Sequence, residues 1–188
     1  MQIKSLKVKN FRSIQELYLE LPRICAFVGP NNSGKTNLLE AIRRVLAPEW
    51  GPRATHFSEE DVYLRDSDRD IEIECSFEPA LTYKKLKDSE SAAIETLRFG
   101  YNRYKRGDQA GHRKLDQECL DNNGKTPSIK TSYGKKGEAP KFEPIISIPQ
   151  EVRDAIPLIH IGTNRSLREQ LPSARNFAPS TNLRGYKR

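Results

Sequence analysis

The chain has 188 residues, 36% hydrophobic and 30% charged, with a mean hydropathy of −0.74 and a net charge of +7. That suits one globular domain, or one and a half, with substantial polar loops, and it excludes a wholly disordered chain. No run of 18 apolar residues occurs, and Met1–Asn10 alternates lysines with apolar residues instead of forming the unbroken apolar stretch of a signal peptide, so a cytoplasmic protein without a membrane partner is expected.

Residues 2–9 (QIKSLKVK) and 14–21 (IQELYLEL) alternate apolar with polar positions. Joined by Asn10–Ser13, they read as an antiparallel pair of strands with one wet face. Residues 24–28 (ICAFV) form a continuous apolar run, which predicts a strand buried on both faces. In residues 35–46, Leu38, Leu39, Ile42, Val45 and Leu46 recur at helical spacing, so an amphipathic helix is expected to end before Pro48. Residues 50–56 read as a loop, and Ser58–Asp61 as a short helical start capped by serine.

Residues 70–77 alternate Ile71, Ile73, Cys75 and Phe77 against Glu72, Glu74 and Ser76, a clear strand. A helix is expected over 86–97 and a returning strand over 97–105. Residues 106–141 are the least regular part and suggest a hairpin with a long mobile tip, with Asn122-Asn123-Gly124 as a turn. A short helix over 149–155 and a short strand over 156–161 follow. From Thr163 onward periodicity fades.

The basic charge is uneven. Residues 100–141 carry ten Lys/Arg against five Asp/Glu, and residues 163–188 carry six against one. Two basic segments suit an electrostatic contact with a polyanion such as DNA, and equally a solvated loop and tail. Cys25, Cys75 and Cys119 are widely spaced with no CxxC pair, so reduced and mostly buried thiols are expected. His56, His112 and His160 are scattered, and nothing suggests a protein-bound zinc.

The chemistry is carried by Gly29-Pro30-Asn31-Asn32-Ser33-Gly34-Lys35-Thr36, a full match to GxxxxGK[ST] placed between an apolar run and an amphipathic helix. Gly29 and Gly34 permit backbone shapes in which successive N–H groups converge on an anion. The helix that follows turns its positive end to the same point. Lys35 is expected to reach the β- and γ-phosphates, and the Thr36 hydroxyl to ligate the Mg2+ that bridges them. Ser33 lies within the cradle. Asn31 and Asn32 either contact phosphate or simply tolerate the tight loop. No run of four aliphatics ending in Asp lies downstream, so binding is expected more firmly than hydrolysis.

Lys9-Asn10-Phe11-Arg12-Ser13-Ile14, followed by GPNNSGKTNLLEAI, resembles the N-terminal lobe of the ABC-type ATPases of DNA metabolism, the RecF, SMC and OLD (overcoming lysogenization defect) group. The OLD nucleases look nearest. Phe57-Ser58-Glu59-Glu60-Asp61 followed by Ile71-Glu72-Ile73 is similar to the segment after their first helix, and Ile159-His160-Ile161-Gly162 with Arg165 and Arg168 to a later strand and arginine segment. The resemblance implies an α/β P-loop NTPase, an ABC-ATPase-like N-terminal lobe with a mixed central sheet and an antiparallel β subdomain. It implies ATP and Mg2+ as cofactors, DNA as partner, and a homodimer or larger homo-oligomer that sandwiches ATP between two heads. In OLD proteins a Toprim nuclease domain follows, with roles in repair or phage defence.

The chain departs from that pattern in lacking a recognisable signature motif, Walker B and Toprim acidic cluster. It is therefore expected to be an ATP-binding lobe over 1–162 and a basic segment over 163–188 leading into a second half. A separate nuclease or ATPase half is a further expected partner. A RecF- or SMC-like recombination ATPase without nuclease, and a nucleotide-binding module that never hydrolyses, remain as alternatives; a kinase or GTPase is disfavoured by the lack of an NKxD-like motif.

The resemblance also assigns weaker sites. Arg12 approaches the phosphates or a DNA-facing surface, or is an exposed loop arginine. Asp61 is the one weak catalytic candidate, for the magnesium or water shell, or else a helix-start carboxylate. Arg165 and Arg168, three apart, are candidates for contact with DNA or a partner head; from the charge pattern alone, Lys125, Lys130, Lys135 and Lys136, with Arg113 and Lys114 in the same basic segment, are candidates for nucleic-acid contact, or serve only solubility. Phe99, Tyr101 and Tyr104 read as packing more than as base-stacking residues.

Overall fold

The alternating opening folds as expected: β1 (Gln2–Phe11) and β2 (Ile14–Glu20) form an antiparallel hairpin with Phe11 opposite Ile14. The computed structural model describes residues 1–46, 57–87, 89–105, 110–134 and 139–156. In β1, Leu6, Val8 and Phe11 are buried while Lys7 and Lys9 face outward. The odd spacing of Ile3 relative to Leu6 is absorbed by a break in register between Ile3 and Ser5, where an extra residue resets which face each side chain takes.

β1 pairs on its other edge with β3 (Ile71–Tyr83), which pairs with β4 (Ala92–Arg103), which pairs with β5 (Arg113–Leu120). The resulting sheet runs β2-β1-β3-β4-β5, every neighbour antiparallel. Ile71, Ile73, Cys75 and Phe77 of β3 and Ile94, Leu97 and Phe99 of β4 form one apolar layer with Leu6, Val8 and Phe11. Against it packs α1 (Lys35–Leu46), crossing β1, β3 and β4 and burying Leu38, Ala41, Val45 and Leu46. Leu39, counted into the apolar stripe from sequence, is exposed, and the small Ala41 takes its place. A second sheet joins β6 (Ser128–Ser132) to β7 (Lys141–Pro144), and the short α2 (Gln150–Asp154) follows as expected.

Three expectations are corrected. The helix over 86–97 is the start of β4. Ile94 and Leu97 are three apart, as on a helix face, but the cause is a bulge. Ser76 pairs with Thr96 and Leu81 with Ile94, so β3 spends five residues where β4 spends two, and the parity of β4 shifts within the strand. The irregular 106–141 contains β5 and β6, and its expected turn is real: the Asp121 carboxylate accepts from the N–H groups of Asn123 and Lys125, and Gly124 adopts φ 70°.

The buried strand over 24–28 is absent. Those residues pair with no strand among the described residues, and Ile24 and Val28 are 88% and 93% exposed. An apolar run becomes a buried strand only where a neighbouring strand takes up its backbone N–H and C=O groups. Here it walls one side of an open cavity of about 630 Å³ lined also by Ile3, Leu21, Ile42 and Glu78, with no residue of the 29–36 loop. Cys25 in this run is exposed, so only Cys75 and Cys119 are the buried thiols expected. The loop over 50–56, the strand over 156–161 beyond Ile156, and the basic segment 163–188 lie outside the described residues, as do Lys135, Lys136, Arg165 and Arg168.

Candidate functional site

The 29–36 loop is a solvent-facing bend whose shape is set by two backbone positions. Asn32 adopts φ 65° and Gly34 φ 90°, the left-handed region that asparagine tolerates and glycine enters freely. At Gly34 it is the backbone that asks for glycine, since a Cβ there would stand 3.4 Å from Ser13 Oγ, an ordinary contact. A Cβ at Gly29 would stand 3.0 Å from Ser33 Oγ, a closer approach than side chains normally make.

α1 begins at Lys35, directly after the bend, and Leu38 N–H donates to Gly34 O at 3.0 Å. The first turn of α1 has no acidic residue and its last turn carries Arg43 and Arg44. The positive end of the helix is therefore uncompensated by side chains while the negative end is matched, the arrangement that attracts an anion to the loop. The Lys35 ammonium folds into the bend, donating to Gly29 O at 2.7 Å, Pro30 O at 2.6 Å and Ser33 Oγ at 3.2 Å. Thr36 is exposed at the start of the helix, as are Asn31, Asn32 and Ser33. This donor set fits a polyphosphate: backbone N–H groups, one ammonium, two hydroxyls and no carboxylate among the loop residues. Among the described residues no group of three or more His, Cys, Asp or Glu side chains stands ready to hold a metal.

The β1–β2 turn lies against this loop. Asn37 Nδ2 donates to Ser13 Oγ at 2.8 Å, and Ser13 is the residue nearest Gly34's missing side chain. Arg12, one residue earlier, adopts φ 52°. Its Nε donates to Asp61 Oδ1 at 2.8 Å and its backbone N–H to Asp61 O at 2.6 Å. Asp61 is 5% exposed. Its other oxygen, Oδ2, accepts from the Ser58 N–H at 3.0 Å and lies 3.8 Å from Arg44 Nη2. The expected helical start is a single 3-10 turn, Glu59–Asp61, with Asp61 as its closing carboxylate.

The basic candidates fare differently. Lys125 is exposed on the turn after β5, and its backbone N–H is held by Asp121. Lys130 lies on β6 with its ammonium 4.6 Å from the Tyr133 ring centroid. Arg113 is no loop cation: its side chain is 2% exposed and donates to Glu59 Oε1, Ser67 O and Tyr101 O. Lys114 pairs with Asp116 at 2.8 Å. Phe99 is fully buried, and Tyr101 stacks on Phe57 with ring centroids 5.9 Å apart, so both are packing residues. Neither the Asn37–Ser13 clip nor Arg44 at Asp61 is visible in the local pattern; the one trace of the latter is the Glu40/Arg44 spacing of four, which forms an ion pair at 2.9 Å on α1.

The model of the AAA ATPase domain family matches residues 1–151. An OLD nuclease of Thermus scotoductus is 30% identical over 173 residues, covering 92% of this chain and 29% of its own. A DNA replication and repair protein RecF of Lactococcus lactis is 43% identical over 60 residues, 31% of this chain and 16% of its own. A chromosome partition protein Smc of Methanocaldococcus jannaschii is 41% identical over 59 residues, 30% of this chain and 5% of its own. The chain thus spans less than a third of the length of each of these relatives.

Proposed function

This chain belongs to the AAA ATPase domain family and is an ATPase lobe of the OLD, RecF and SMC type, and from that premise we propose that its 29–36 loop binds the triphosphate of ATP with Mg2+. The observation that carries this is the left-handed bend at Asn32 and Gly34 running directly into an α1 whose first turn has no acid. Lys35 exchanges its loop carbonyls for the β- and γ-phosphates, and Thr36 contributes its hydroxyl to the cation. Gly29, Asn31, Asn32, Ser33 and Gly34 form the cradle, and Arg12 reaches it from the β1–β2 turn. When bound, the cation offsets charge on the phosphate oxygens.

We further propose the ATP-binding lobe of an OLD-like ATPase and endonuclease acting on DNA, with residues 1–162 as the lobe and 163–188 as a basic connector. Likeness to the OLD nuclease extends over 92% of the chain, against 31% for RecF, which favours this reading over a recombination ATPase without nuclease. In this reading two lobes close on ATP as a homodimer in the cytoplasm, and Lys125 and Lys130, with Lys135, Lys136, Arg165 and Arg168, contribute phosphate contacts to DNA.

The test is a titration of Mg·ATP and Mg·GTP against the wild-type chain and Lys35→Ala, beside steady-state hydrolysis with and without duplex DNA. Loss of at least ~10-fold in ATP affinity on removing the ammonium is expected, since a charge-assisted bond contributes ~1.5–3 kcal/mol. Equal binding by the two proteins sinks the assignment of the loop. Hydrolysis by this chain alone would locate the catalytic acid within it, with Asp61 the first to substitute.

A further inference from the structure

We propose that Asp61 is a positioning residue that aims the Arg12 guanidinium at the 29–36 loop; this deepens, and rests on, the reading of that loop as a phosphate site. Three observations carry it. First, the same residue holds Arg12 at both ends: Asp61 O accepts from the Arg12 backbone N–H at 2.6 Å and Asp61 Oδ1 from Nε at 2.8 Å. Second, the turn that carries Arg12 abuts the loop: the next residue, Ser13, bonds Asn37 of α1 and lies nearest Gly34, while the Arg12 guanidinium rests 5.2 Å over the Phe11 ring. Third, the pair uses Nε only. Among the described residues neither Nη group of Arg12 has an acceptor, so four N–H bonds remain for an anion.

Asp61 is itself immobilised. It is 5% exposed, its Oδ2 takes the Ser58 N–H, and Arg44 of α1 stands 3.8 Å away. A free arginine side chain carries ~2 kcal/mol of rotamer entropy, and a carboxylate that has already fixed the guanidinium removes much of that cost from binding. Arg44 is matched by Glu40 at 2.9 Å and stands 3.8 Å from Asp61, so the Asp61 carboxylate is left chiefly to Arg12. A purely structural ion pair would need neither free Nη groups nor a position at the loop.

The experiment is a double-substitution cycle on the full 188-residue chain, reading Mg·ATP affinity by titration and the nucleotide-free thermal midpoint separately. Arg12→Ala is expected to weaken ATP ~10-fold. Asp61→Asn is expected to weaken it ~3- to 10-fold when Arg12 is present and less than ~2-fold in the Arg12→Ala background. Equal loss in both backgrounds, or a lowered midpoint with affinity unchanged, overturns the proposal. Arg12→Lys provides a test that leaves Asp61 intact: lysine keeps the charge but has no Nε with which to be aimed, so most of the Arg12→Ala loss should reappear. Full affinity with lysine overturns the proposal. The Lys35→Ala chain run in parallel separates the premise from the inference. Weakened binding there, with additive losses at Arg12 and Asp61, leaves the phosphate site standing and removes only the positioning role. Unchanged binding at Lys35→Ala removes both.

Discussion

Asn37 Nδ2 donates to Ser13 Oγ at 2.8 Å, and this single bond joins the β1–β2 turn to the first turn of α1. Both partners are at the surface, so its net contribution to folding is small, ~0.5–1 kcal/mol. The same bond should also bear on binding, because the turn carries Arg12 and abuts Gly34. Asn37→Ala is therefore expected to lower the thermal midpoint by only ~2–4 °C while weakening Mg·ATP ~3-fold. Paired calorimetry and titration check this, and a midpoint loss with full affinity would mean the turn has no part in binding.

The outward face of the sheet carries a ladder of charges whose pH dependence has a definite sign. Lys7 on β1 reaches Glu72 at 2.8 Å and Glu74 at 3.6 Å on β3, and Arg98 on β4 reaches Glu74 and Glu118. Burial pushes the Glu72 carboxyl up, but the hydrogen bond and charge of Lys7 outweigh it, so Glu72 lies below its ordinary 4.5. The hydrogen bond to Glu72 raises Lys7 above its ordinary 10.5 against some burial, with Glu74 adding to the rise. A depressed carboxylate stabilises the fold fully above its unfolded pKa and loses that contribution as pH falls through its folded one. A raised lysine contributes fully below its unfolded pKa and loses it as pH rises through its folded one. Stability should thus be flat across neutral pH and fall below about pH 4.5 and above about pH 10.5. Lys7→Met should flatten both slopes, by less than ~1 kcal/mol because the pair is about one-third exposed. Denaturant midpoints from pH 3 to 11 check it.

What could be read from the sequence was what local chemistry decides. The 29–36 motif, the helix from Lys35 to Leu46 and the β1–β2 hairpin follow from glycine placement and from periods of 3.6 and 2 that are local to each segment. What misled depends on neighbours distant in sequence. The segment expected as a helix over 86–97 runs into β4, where a bulge opposite, between Ser76 and Leu81, lets Ile94 and Leu97, three apart, both face inward. The 24–28 run read as buried, yet burial needs a strand to pair with it, and none among the described residues does so. Asp61 was legible as a carboxylate at a helical start, but its bond to Arg12 closes a separation of 49 residues that no local pattern encodes.

The three thiols should separate cleanly by reactivity. Burial pushes Cys75 up to about 12, with the Glu74 charge adding to it. Burial likewise pushes Cys119 up to about 12 against the opposing charge of Arg153. Cys25 is exposed. Since the thiolate is the reacting species, a disulfide reagent at pH 8 should titrate one thiol rapidly in the native chain and three after unfolding. Cys25→Ser should abolish the fast phase. The raised pKa values also have a stability consequence: the contribution of these buried thiols is full below their ordinary 9.0 and is lost as pH rises toward 12. Two or three fast thiols in the native chain would contradict the packing of β3 and β5.

Phe57 holds the segment that ends in Asp61. Its ring meets Phe11 edge-on at 6.0 Å, stacks on Tyr101 at 5.9 Å, and lies under the Arg44 guanidinium at 5.7 Å. It therefore ties the chain entering the 3-10 turn to β1, β4 and α1 at once. Phe57→Ala should cost ~3–4 kcal/mol from the cavity left in this cluster. Phe57→Leu, which retains most of the volume but loses the ring contacts, should cost ~1–1.5 kcal/mol. At a temperature where both variants remain folded, Mg·ATP affinity should fall in the same order, because slack at Phe57 is passed through Asp61 to Arg12. The leucine variant is the discriminating one. If it is destabilised as expected yet binds ATP like the wild type, the ring supports the fold and the aim of Arg12 is set by Asp61 and Ser58 alone.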